Sequence, residues 1–590
     1  MHGFVPSARG RGWRQRAAQL AIGFSLIVGL CAGAFLATGA HAQPRSTSGA
    51  TLYHATGGTG ARLPAGQAAA SQRQAASAQQ QGPRVIPYRT PMNPKGVATR
   101  SLSRGAPKSN AAPLTTAELT NNFNGLSNAD QTAANGGIGA EVTPPDQGLC
   151  VGHDPRTTAS TSVFEMVNDA TAEYDTHGNL LRPIQSNASF FNDPNTFSDP
   201  RCFYDATTST FFFTNISSAS FGAANDTFDE VAVLNEAHGF TVYKFDSSLG
   251  GTCFGDQPHV GYDNHNLYIA TDQFCNTGYL GALLLVISKS QLVSEVASPN
   301  VASFGPLSLS GIPILTLEPA ISPHQNTEFL LNSFPMDANG NPLPTSTSLG
   351  FWQVLGGQNV TSGNFSAVTL ASSVITSEQY AFTVPAASTG SGAVTTVCDV
   401  FCVPVESEAS LNPDDDRMLQ VMTVGSGNNL QLWGALDTSL TIAGDTATRD
   451  GVAWFEIAPL SAEHGNPSPT IAHQGYVAVK GNNLLYPAIF ARDNGSAAMV
   501  FTITGPTLNP SAAYAVTPFG STVHIVATGA GPHLSFAEPL SGRKRWGDYS
   551  AACMDPSTGA IWQATEYIPP AAHQDPFDNW GTDVFATKLG

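Results

Sequence analysis

One stretch decides the fold of this chain: Trp546-Gly-Asp-Tyr-Ser-Ala-Ala-Cys-Met-Asp-Pro-Ser-Thr-Gly-Ala-Ile-Trp-Gln-Ala-Thr-Glu-Tyr567. An acidic residue precedes a short apolar run. A tight turn of Asp, Pro, Ser and Gly follows, and then a second run rich in aromatic and β-branched residues, which is typical of two antiparallel strands. The same phrase recurs along the chain. A repeat at a period of tens of residues indicates an architecture built from repeated units.

Seven copies of the phrase can be traced. Each copy is followed by one or two more strand-like runs and in most cases by a fourth, which predicts repeating units of four antiparallel strands. We therefore predict an all-β fold, a seven-bladed β-propeller of four-stranded antiparallel blades. A pair of β-sandwiches would also give many short strands, but it does not predict one phrase seven times. The seven copies open at Asp146, Asp199, Asp256, Glu318, Asp416, Gln474 and Asp548.

The last unit is one strand short. After Ile561 to Tyr567, the run Thr582 to Lys588 is the remaining strand-like segment before the chain ends. A propeller closes its ring to remove exposed sheet edges. The missing strand is therefore predicted to come from upstream of the first unit, within Leu114 to Leu126.

The N-terminal part of the chain is predicted to be an export signal and a spacer. Four arginines precede an apolar run from Leu20 to Leu36, and Ala40-His-Ala42 offers a small-x-small cleavage site. We predict a signal peptide over residues 1–42, cleaved after Ala42, with an uncleaved membrane anchor as the alternative. Residues 43–112 are rich in Ala, Gln, Ser, Gly and Pro, which predicts a disordered spacer. The propeller domain is then residues 113–590.

The composition limits the partners of the exported chain. Charged residues make up 12%, and the 590 residues include 57 Gly and 40 Pro, which favours β-structure with many loops. Without the arginines of the signal, acidic residues outnumber basic residues about two to one. Such a chain repels nucleic acid and anionic lipid, so we predict a secreted or periplasmic protein with no membrane insertion after cleavage.

Export permits disulfides. Cys253 and Cys275 flank one predicted hairpin, and Cys398 and Cys402 enclose a three-residue loop, so we predict both bridges. The other three cysteines of the exported chain each lie in the first strand of a repeat. We interpret them as buried thiols in preference to a metal site, and at least one thiol must stay unpaired. These three are Cys150, Cys202 and Cys553.

Three of the motifs carry a family resemblance. The run Pro144-Pro-Asp-Gln-Gly148, the phrase at Asp199-Pro-Arg201 and the closing Arg545-Trp-Gly-Asp-Tyr-Ser550 resemble those of exported bacterial β-propeller proteins of largely uncharacterised function. That group is loosely similar to the sialidase-like propellers. The resemblance covers about residues 120 to 590 and implies the propeller fold and export, but it carries over no catalytic residue.

If the repeats are blades, the residues that open the phrase ring the mouth of the central channel, where propellers place ligands. Crowded carboxylates repel one another and need cations, protons or arginines. They either scaffold the ring, bonded to the backbone of neighbouring units or to arginine, or they bind a ligand. The candidate binding residues are Asp146, Asp199, Arg201, Asp256, Glu318, Asp416, Arg417, Arg545 and Trp546.

A metal in the channel is the sharper hypothesis for the acids. Oxygen ligands that converge suit Ca²⁺, which is the one cofactor that the sequence suggests. The densest acidic run is Asp414, Asp415 and Asp416, although it lacks the spacing of an EF-hand loop. The competing interpretation of this run is a surface turn.

The function favoured by the sequence is a binding module for an extracellular glycan, peptide or protein at the channel face. The alternative is a sialidase-like glycoside hydrolase, for which Asp548, Tyr549 and Glu566 are the candidate catalytic residues. A purely structural envelope protein is the third hypothesis. An aromatic residue on a loop could stack on a sugar, and Trp546 and Trp580 are the candidates. The chain has no Gly-x-Ser-x-Gly, His-Glu-x-x-His or phosphate-loop motif.

Overall fold

The computed structural model describes residues 45–47, 50–63, 83–86, 89–91, 102–104, 116–219, 226–235, 239–398, 402–460, 469–520, 522–536 and 545–590. The predicted signal peptide lies outside the described residues. The described chain is nearly all β, as predicted. Its three α-helices are short: Asn128–Ala134, Asn187–Phe190 and Lys289–Val293.

Consecutive antiparallel strands form four-stranded sheets, which we number in chain order. Sheet 1 contains Gly148–Gly152, Ser162–Val167, Ala170–Tyr174 and Gln185–Ser186. Sheet 2 contains Thr196–Asp205, Thr210–Ser217, Phe228–Asn235 and Gly239–Asp246. Sheet 3 contains Cys253–Tyr262, Asn266–Cys275, Gly278–Ser288 and Asn300–Leu309. Sheet 4 contains Glu318–Ile321, Glu328–Asn332, Thr345–Leu355 and Thr369–Ala381.

The remaining sheets continue the pattern. Sheet 5 contains Met418–Val424, Gln431–Ile442, Thr448–Ala458 and Thr470–Val477. Sheet 6 contains Asn483–Ala491, Ala497–Gly505, Leu508–Val516 and His524–Ala527. Sheet 7 contains Ala551–Met554, Ile561–Tyr567, Gly581–Leu589 and, from the other end of the chain, Ala117–Ser127.

The sheets follow one another in a cycle. The first strand of each sheet lies next to the first strand of the following sheet, and the first strand of sheet 7 lies next to that of sheet 1. Parallel bridges between Tyr262 and Ile321 and between Ala320 and Val421 join the first strands of sheets 3, 4 and 5. Apolar clusters fill the spaces between neighbouring sheets. This cyclic arrangement of antiparallel sheets is that of a β-propeller.

The prediction that an N-terminal strand completes the last sheet is confirmed. Ala117–Ser127 pairs antiparallel with Gly581–Leu589. Its second half is buried, and Leu126 packs in a core with strands of sheets 1 and 7. Its backbone nitrogen donates to Glu165 of sheet 1 at 2.8 Å. The two ends of the chain are therefore held in one sheet, and that sheet is held against its neighbour.

The sixth copy of the phrase was misplaced by one strand. We predicted that Gln474 opens the sixth unit, but it lies exposed in Thr470–Val477, the fourth strand of sheet 5. Its run pairs with the third strand of the same sheet, Val452 opposite Val477. The first strand of sheet 6 is Asn483–Ala491 instead. Both strands end in buried apolar residues, so the pattern of side chains does not distinguish them.

The described parts of the predicted spacer include strands that pair with the propeller sheets. Ala50–His54 pairs with the fourth strand of sheet 4, Thr56–Thr59 with that of sheet 3, and Ala61–Arg62 with that of sheet 2. These pairings satisfy backbone groups at otherwise open sheet edges. Gly57 and Gly60 fit because a Cβ there would collide with the rings of Phe365 and Phe245. For residues 64–82 and 105–112, disorder stays a prediction.

Further short strands lie outside the seven sheets. Arg84–Val85 pairs in parallel with Val142–Thr143, and Leu102–Arg104 pairs in parallel with the second strand of sheet 5. The others are Arg45–Thr47, Ile312–Pro313, Ala386–Ala387, Val394–Cys398, Cys402–Ser407, Ser410–Leu411 and Leu534–Phe536.

Three disulfides are present among the described cysteines. The bridges Cys253–Cys275 and Cys398–Cys402 are confirmed as predicted. The interpretation of Cys150 and Cys202 as thiols was wrong: they form a bridge, with their Cα atoms 5.5 Å apart, between the first strands of sheets 1 and 2. Neighbouring sheets bring them together, although the sequence separates them by 52 residues. Cys553 is the free thiol in the described part of the chain.

We expect Leu126→Ala to lower the free energy of unfolding by about 3 kcal/mol, because it leaves a cavity where the two ends of the chain meet. Leu119 lies on the same strand with 44% of its surface exposed, so Leu119→Ala is the matched control and should cost less than about 1 kcal/mol. Urea unfolding of both variants measures the difference. Equal losses would contradict a structural role for the buried half of this strand.

We expect a pH-dependent contribution from Glu165, which bonds Leu126 and Thr582 across the closure. Burial, and to a smaller extent the charge of Asp130, raise the pKa of Glu165, hydrogen bonds from Thr582, Leu126 and Tyr174 lower it, and the net value is about 7. Because the folded state holds this proton more tightly than the unfolded state, its contribution to stability is lost as pH rises from about 4.5 to about 7.

Glu165→Gln should therefore match the wild type near pH 5 and exceed its stability by about 1–3 kcal/mol near pH 8. Denaturant unfolding at the two pH values measures this change, and the exposed Glu118→Gln on the closing strand is the control. A difference between Glu165→Gln and the wild type that does not vary with pH would contradict the assignment.

Candidate functional site

The first strands of the sheets begin at strained backbone. Non-glycine residues with φ between 50° and 59° occur at or just before six of the seven first strands. Left-handed backbone costs a non-glycine residue of order 1 kcal/mol or more and persists where surrounding contacts enforce it. The six residues are Asp146, Asp199, Gln257, Thr316, Asp414 and Tyr486.

Side chains of the preceding sheet hold several of these backbones. Asn168 Oδ1 accepts from the Asp199 nitrogen at 2.8 Å, and Asp272 Oδ1 accepts from the Thr316 nitrogen at 2.9 Å. Asp437 Oδ2 accepts from the nitrogen of Tyr486, also at 2.9 Å. These bonds agree with the scaffolding hypothesis for part of the polar ring.

The structure brings four of the predicted acids to one mouth. Four carboxylates lie close enough for the negative charge of one to raise the pKa of another, and they belong to Asp146, Asp199, Asp256 and Asp548. Burial and, to a smaller extent, the negative charge of Asp548 raise the pKa of Asp146 to about 8. Burial also raises the pKa of Asp199 well above its usual range, and Asp256 adds to that shift. One carboxylate oxygen from each of Asp146, Asp199 and Asp548 lies within 4.8 Å of the others, a spacing that a metal ion could bridge.

Two arginines at this mouth are engaged by aspartates. Arg417 forms an ion pair with Asp415 at 2.8 Å and also bonds Gln257. Arg545 bonds Asp548 and contacts Asp414 at 3.4 Å. The three residues of the Asp414–Asp416 run, which we considered for calcium, therefore have different surroundings. Asp415 pairs with Arg417, Asp414 faces Arg545, and both oxygens of Asp416 are buried without a hydrogen bond.

A segment of the predicted spacer covers this mouth. Arg89 contacts Asp256 at 3.4 Å and lies over the ring of Phe254, while Arg84 pairs with Asp169 at 2.6 Å. The remaining cavity at the mouth is about 10 Å³, and Ile86 and Arg89 contribute to its lining. The sequence analysis missed these residues, because nothing in the composition of a spacer indicates where its arginines lie.

Below the mouth lies a larger cavity, which we call the channel chamber. Its volume is about 370 Å³, and first-strand residues of all seven sheets line it. One residue from each sheet in turn is Leu149, Phe203, Val260, Ile321, Gln420, Phe490 and Ala552. At the end away from the acids, a neighbouring surface cavity of about 400 Å³ shares Pro323, His324 and Met554 with it. The chamber therefore opens away from the acidic mouth.

Arg201 is the arginine of the channel chamber. Its guanidinium lies 3.3 Å from the ring centre of Tyr549, and its Nη2 is 3.4 Å from His259 Nδ1. Its Nε has no hydrogen-bond partner, and among the described residues no carboxylate lies within ion-pair distance of it. Glu318, which also lines the chamber, lies within ion-pair distance of His259 instead. The pairing of His259 with Glu318 was not foreseen in the sequence.

The two aromatic candidates, and the catalytic candidates Tyr549 and Glu566, are buried. Trp546 and Trp580 are buried, and their Nε1 atoms donate to Thr502 and to the backbone of Val142, so neither is placed to stack on a sugar. The Tyr549 hydroxyl donates to the Pro200 carbonyl at 3.0 Å, which ties sheet 7 to sheet 2. Glu566 is buried, with one oxygen against Gly547.

Comparison with known proteins does not assign the chain to a family. No family model matches the chain, and no curated protein matches it. Solved structures that are similar include a subtype N11 neuraminidase-like protein of A/flat-faced bat/Peru/033/2010 (H18N11), at 10% identity, covering 71% of this chain and 95% of that one with a TM-score of 0.29. AofleA from Arthrobotrys oligospora is similar at 9% identity, covering 73% and 97% with a TM-score of 0.31.

An exo-β-1,3-galactanase from Clostridium thermocellum is similar at 10% identity, covering 80% of this chain and 99% of that one, with a TM-score of 0.25. At these TM-scores the likenesses carry no argument about fold or activity. No helix in the described part of the chain is long and apolar enough to cross a membrane.

We expect Asp272→Ala to lower the free energy of unfolding by about 2–3 kcal/mol. The change leaves the Thr316 nitrogen, and the Thr316 hydroxyl that donates at 3.2 Å, without their buried acceptor. Asp272→Asn keeps one acceptor oxygen and should cost less than half as much. Thermal and urea unfolding of the pair measures the difference. An alanine variant no less stable than the asparagine variant would contradict the holding role of this side chain.

Proposed function

We propose that the protein is a seven-bladed β-propeller that acts as an exported binding module and takes a ligand into its channel chamber. The cyclic contacts of the seven first strands and the pairing of the chain ends support the blade number. The three disulfides are typical of an oxidising compartment and support export, with cleavage after Ala42.

The observation that carries the binding role is the channel chamber itself. A cavity of about 370 Å³ is in the range that small ligands and short peptide segments occupy. Its walls are mainly apolar, with side chains such as Leu149, Phe203 and Phe490, and they also carry polar residues such as Gln147 and Glu318. An aliphatic or aromatic side chain would gain more from burial against the apolar part than a sugar ring, whose hydroxyls must keep hydrogen-bond partners.

Among the three ligand classes considered, a peptide or a protein terminus is therefore the one we propose. Arg201 lies in the chamber wall without a carboxylate partner among the described residues. A guanidinium in an apolar site pairs favourably with a carboxylate. The ligand chemistry is thus an apolar side chain beside a free carboxyl terminus.

The hydrolase alternative gains no support from the site. The cavity beside Asp548 measures about 10 Å³, the volume of one water molecule and far less than a sugar ring. The Tyr549 hydroxyl is engaged by backbone, and Glu566 is buried behind Gly547. The carboxylates at the mouth are therefore better explained by a role other than glycan turnover.

We expect free-carboxyl pentapeptides with an apolar last residue to bind the protein, and their amidated forms to bind at least tenfold more weakly. Fluorescence polarisation with matched peptide libraries measures this, and a glycan panel is run in parallel. Ala206 is exposed and lines the chamber, so Ala206→Trp should narrow the chamber and weaken binding at least tenfold.

Ala572→Trp, an exposed site on a surface turn, is the control and should bind as the wild type does. Melting curves of both variants show whether they fold. Peptide binding that Ala206→Trp leaves unchanged, or no peptide preference for a free carboxyl group, would overturn the proposal.

A further inference from the structure

Asp146, Asp199 and Asp548 meet although they come from three different sheets. Each offers one carboxylate oxygen, and the three oxygens lie within 4.8 Å of one another. Asp146 and Asp199 precede or lie in the first strands of sheets 1 and 2, and Asp548 leads into the first strand of sheet 7. These three sheets are consecutive in the cycle, and they include the one in which the two ends of the chain pair.

In Asp146 and Asp199, one carboxylate oxygen accepts a hydrogen bond from the protein and the other does not. Asp146 Oδ2 accepts from Asn168 Nδ2 at 2.6 Å, and Asp199 Oδ2 accepts from the Gln257 nitrogen at 3.1 Å. The other oxygens, Asp146 Oδ1 and Asp199 Oδ1, are buried and have no hydrogen-bond partner. A buried carboxylate oxygen without a partner is expensive, and native proteins seldom leave one so. Both residues are almost completely buried, at 0% and 2% exposure.

Arg545 is the arginine that pairs with a member of this group among the described residues. It bonds Asp548 and is also within ion-pair distance of Asp414, so one guanidinium serves two aspartates. Within the described part of the chain, Asp146 and Asp199 have no ion-pair partner. When all three carboxylates are ionised, their negative charge exceeds what Arg545 offsets, and a small divalent cation would neutralise the excess.

Room for such an ion is present. Asp199 and Asp548 line the cavity of about 10 Å³ at the mouth. Arg89 and Arg417 line it as well, and they pair with Asp256 and Asp415. That volume holds roughly one water-sized sphere. The cavity thus admits an ion or a water molecule but no larger ligand, which separates this site from the channel chamber.

We propose that Asp146, Asp199 and Asp548 bind one Ca²⁺ ion, which joins sheets 7, 1 and 2 where the ring closes. The three protein ligands are carboxylate oxygens, which hard cations prefer, whereas Zn²⁺ sites draw on His and Cys. Mg²⁺ demands near-ideal octahedral geometry and gives up its water reluctantly, while Ca²⁺ accepts irregular oxygen sets. The ion stabilises the folded ring, and it is independent of the ligand that the channel chamber takes.

The test uses the full chain after exhaustive treatment with a chelator. Metal content is measured by mass spectrometry, and CaCl₂ and MgCl₂ are titrated by calorimetry at pH 7.5. We expect one Ca²⁺ per chain, with Mg²⁺ at least tenfold weaker. At a Ca²⁺ concentration one hundred times the dissociation constant, the melting temperature should rise by about 3 °C.

Two variants test whether Ca²⁺ binds at this site or is attracted by the overall negative charge of the protein. Asp199→Asn relieves repulsion, so without Ca²⁺ it should melt at or above the wild-type temperature, and Ca²⁺ should no longer shift it. The matched control is Asp450→Asn, a buried aspartate that also has an unpartnered oxygen but lies outside the group; it should keep the full Ca²⁺ shift.

The outcomes either support or overturn the site. A Ca²⁺ shift that persists in Asp199→Asn would place the ion elsewhere. Absence of bound Ca²⁺, together with a melting temperature unaffected by CaCl₂, would show that protons rather than a metal neutralise the three aspartates. In both cases peptide binding in the channel chamber remains a separate question, because Ala206→Trp does not touch the aspartates.

Discussion

The structure depends on polar contacts that hold left-handed backbone at the starts of the first strands. Asn168 fixes Asp199, Asp272 fixes Thr316, and Asp437 fixes Tyr486, each time across the boundary between one sheet and the next. A strained residue persists only where its surroundings enforce its conformation. At these three boundaries one sheet therefore sets the backbone geometry of the first strand of the next, and it does so with polar side chains.

That constraint creates an electrostatic problem, because carboxylates gathered from several sheets repel one another in a buried place. The chain solves it differently around the ring. Asp415 pairs with Arg417, Glu318 with His259, and Asp548 with Arg545. The carboxylates of Asp146 and Asp199 have no such partner among the described residues, and this asymmetry marks the place where a ligand of opposite charge fits best.

Local pattern was sufficient to predict much of the fold. The phrase that ends in Trp562 and Tyr567 exposed the repeat, and the strand deficit after Tyr567 predicted the N-terminal partner of Gly581–Leu589. Local pattern failed where the answer depends on how one sheet is placed against another. Gln474 lies in an outer strand whose side chains resemble those of an inner one, and Cys150 finds Cys202 only because sheets 1 and 2 are neighbours.

The same reasoning explains the outcome for the acids. Asp414 to Asp416 are adjacent in the chain, but Asp415 pairs with Arg417 and Asp414 faces Arg545, so adjacency does not make a ligand set. Asp146, Asp199 and Asp548 are far apart in sequence and meet because the ring closes. Opposite the open end of the channel chamber, Arg84 and Arg89 pair with Asp169 and Asp256.

The chain upstream of the closing strand thus serves two needs that the sheets do not meet themselves. Its backbone over residues 50–62 pairs with the outer edges of sheets 4, 3 and 2, and its arginines bring positive charge to the acidic mouth. The segment also buries some apolar surface, because Tyr53 packs in a core with strands of sheets 3 and 4 and Ile86 is buried. A segment can therefore have the composition of a spacer and still be ordered, provided that it meets open strand edges and unpaired carboxylates.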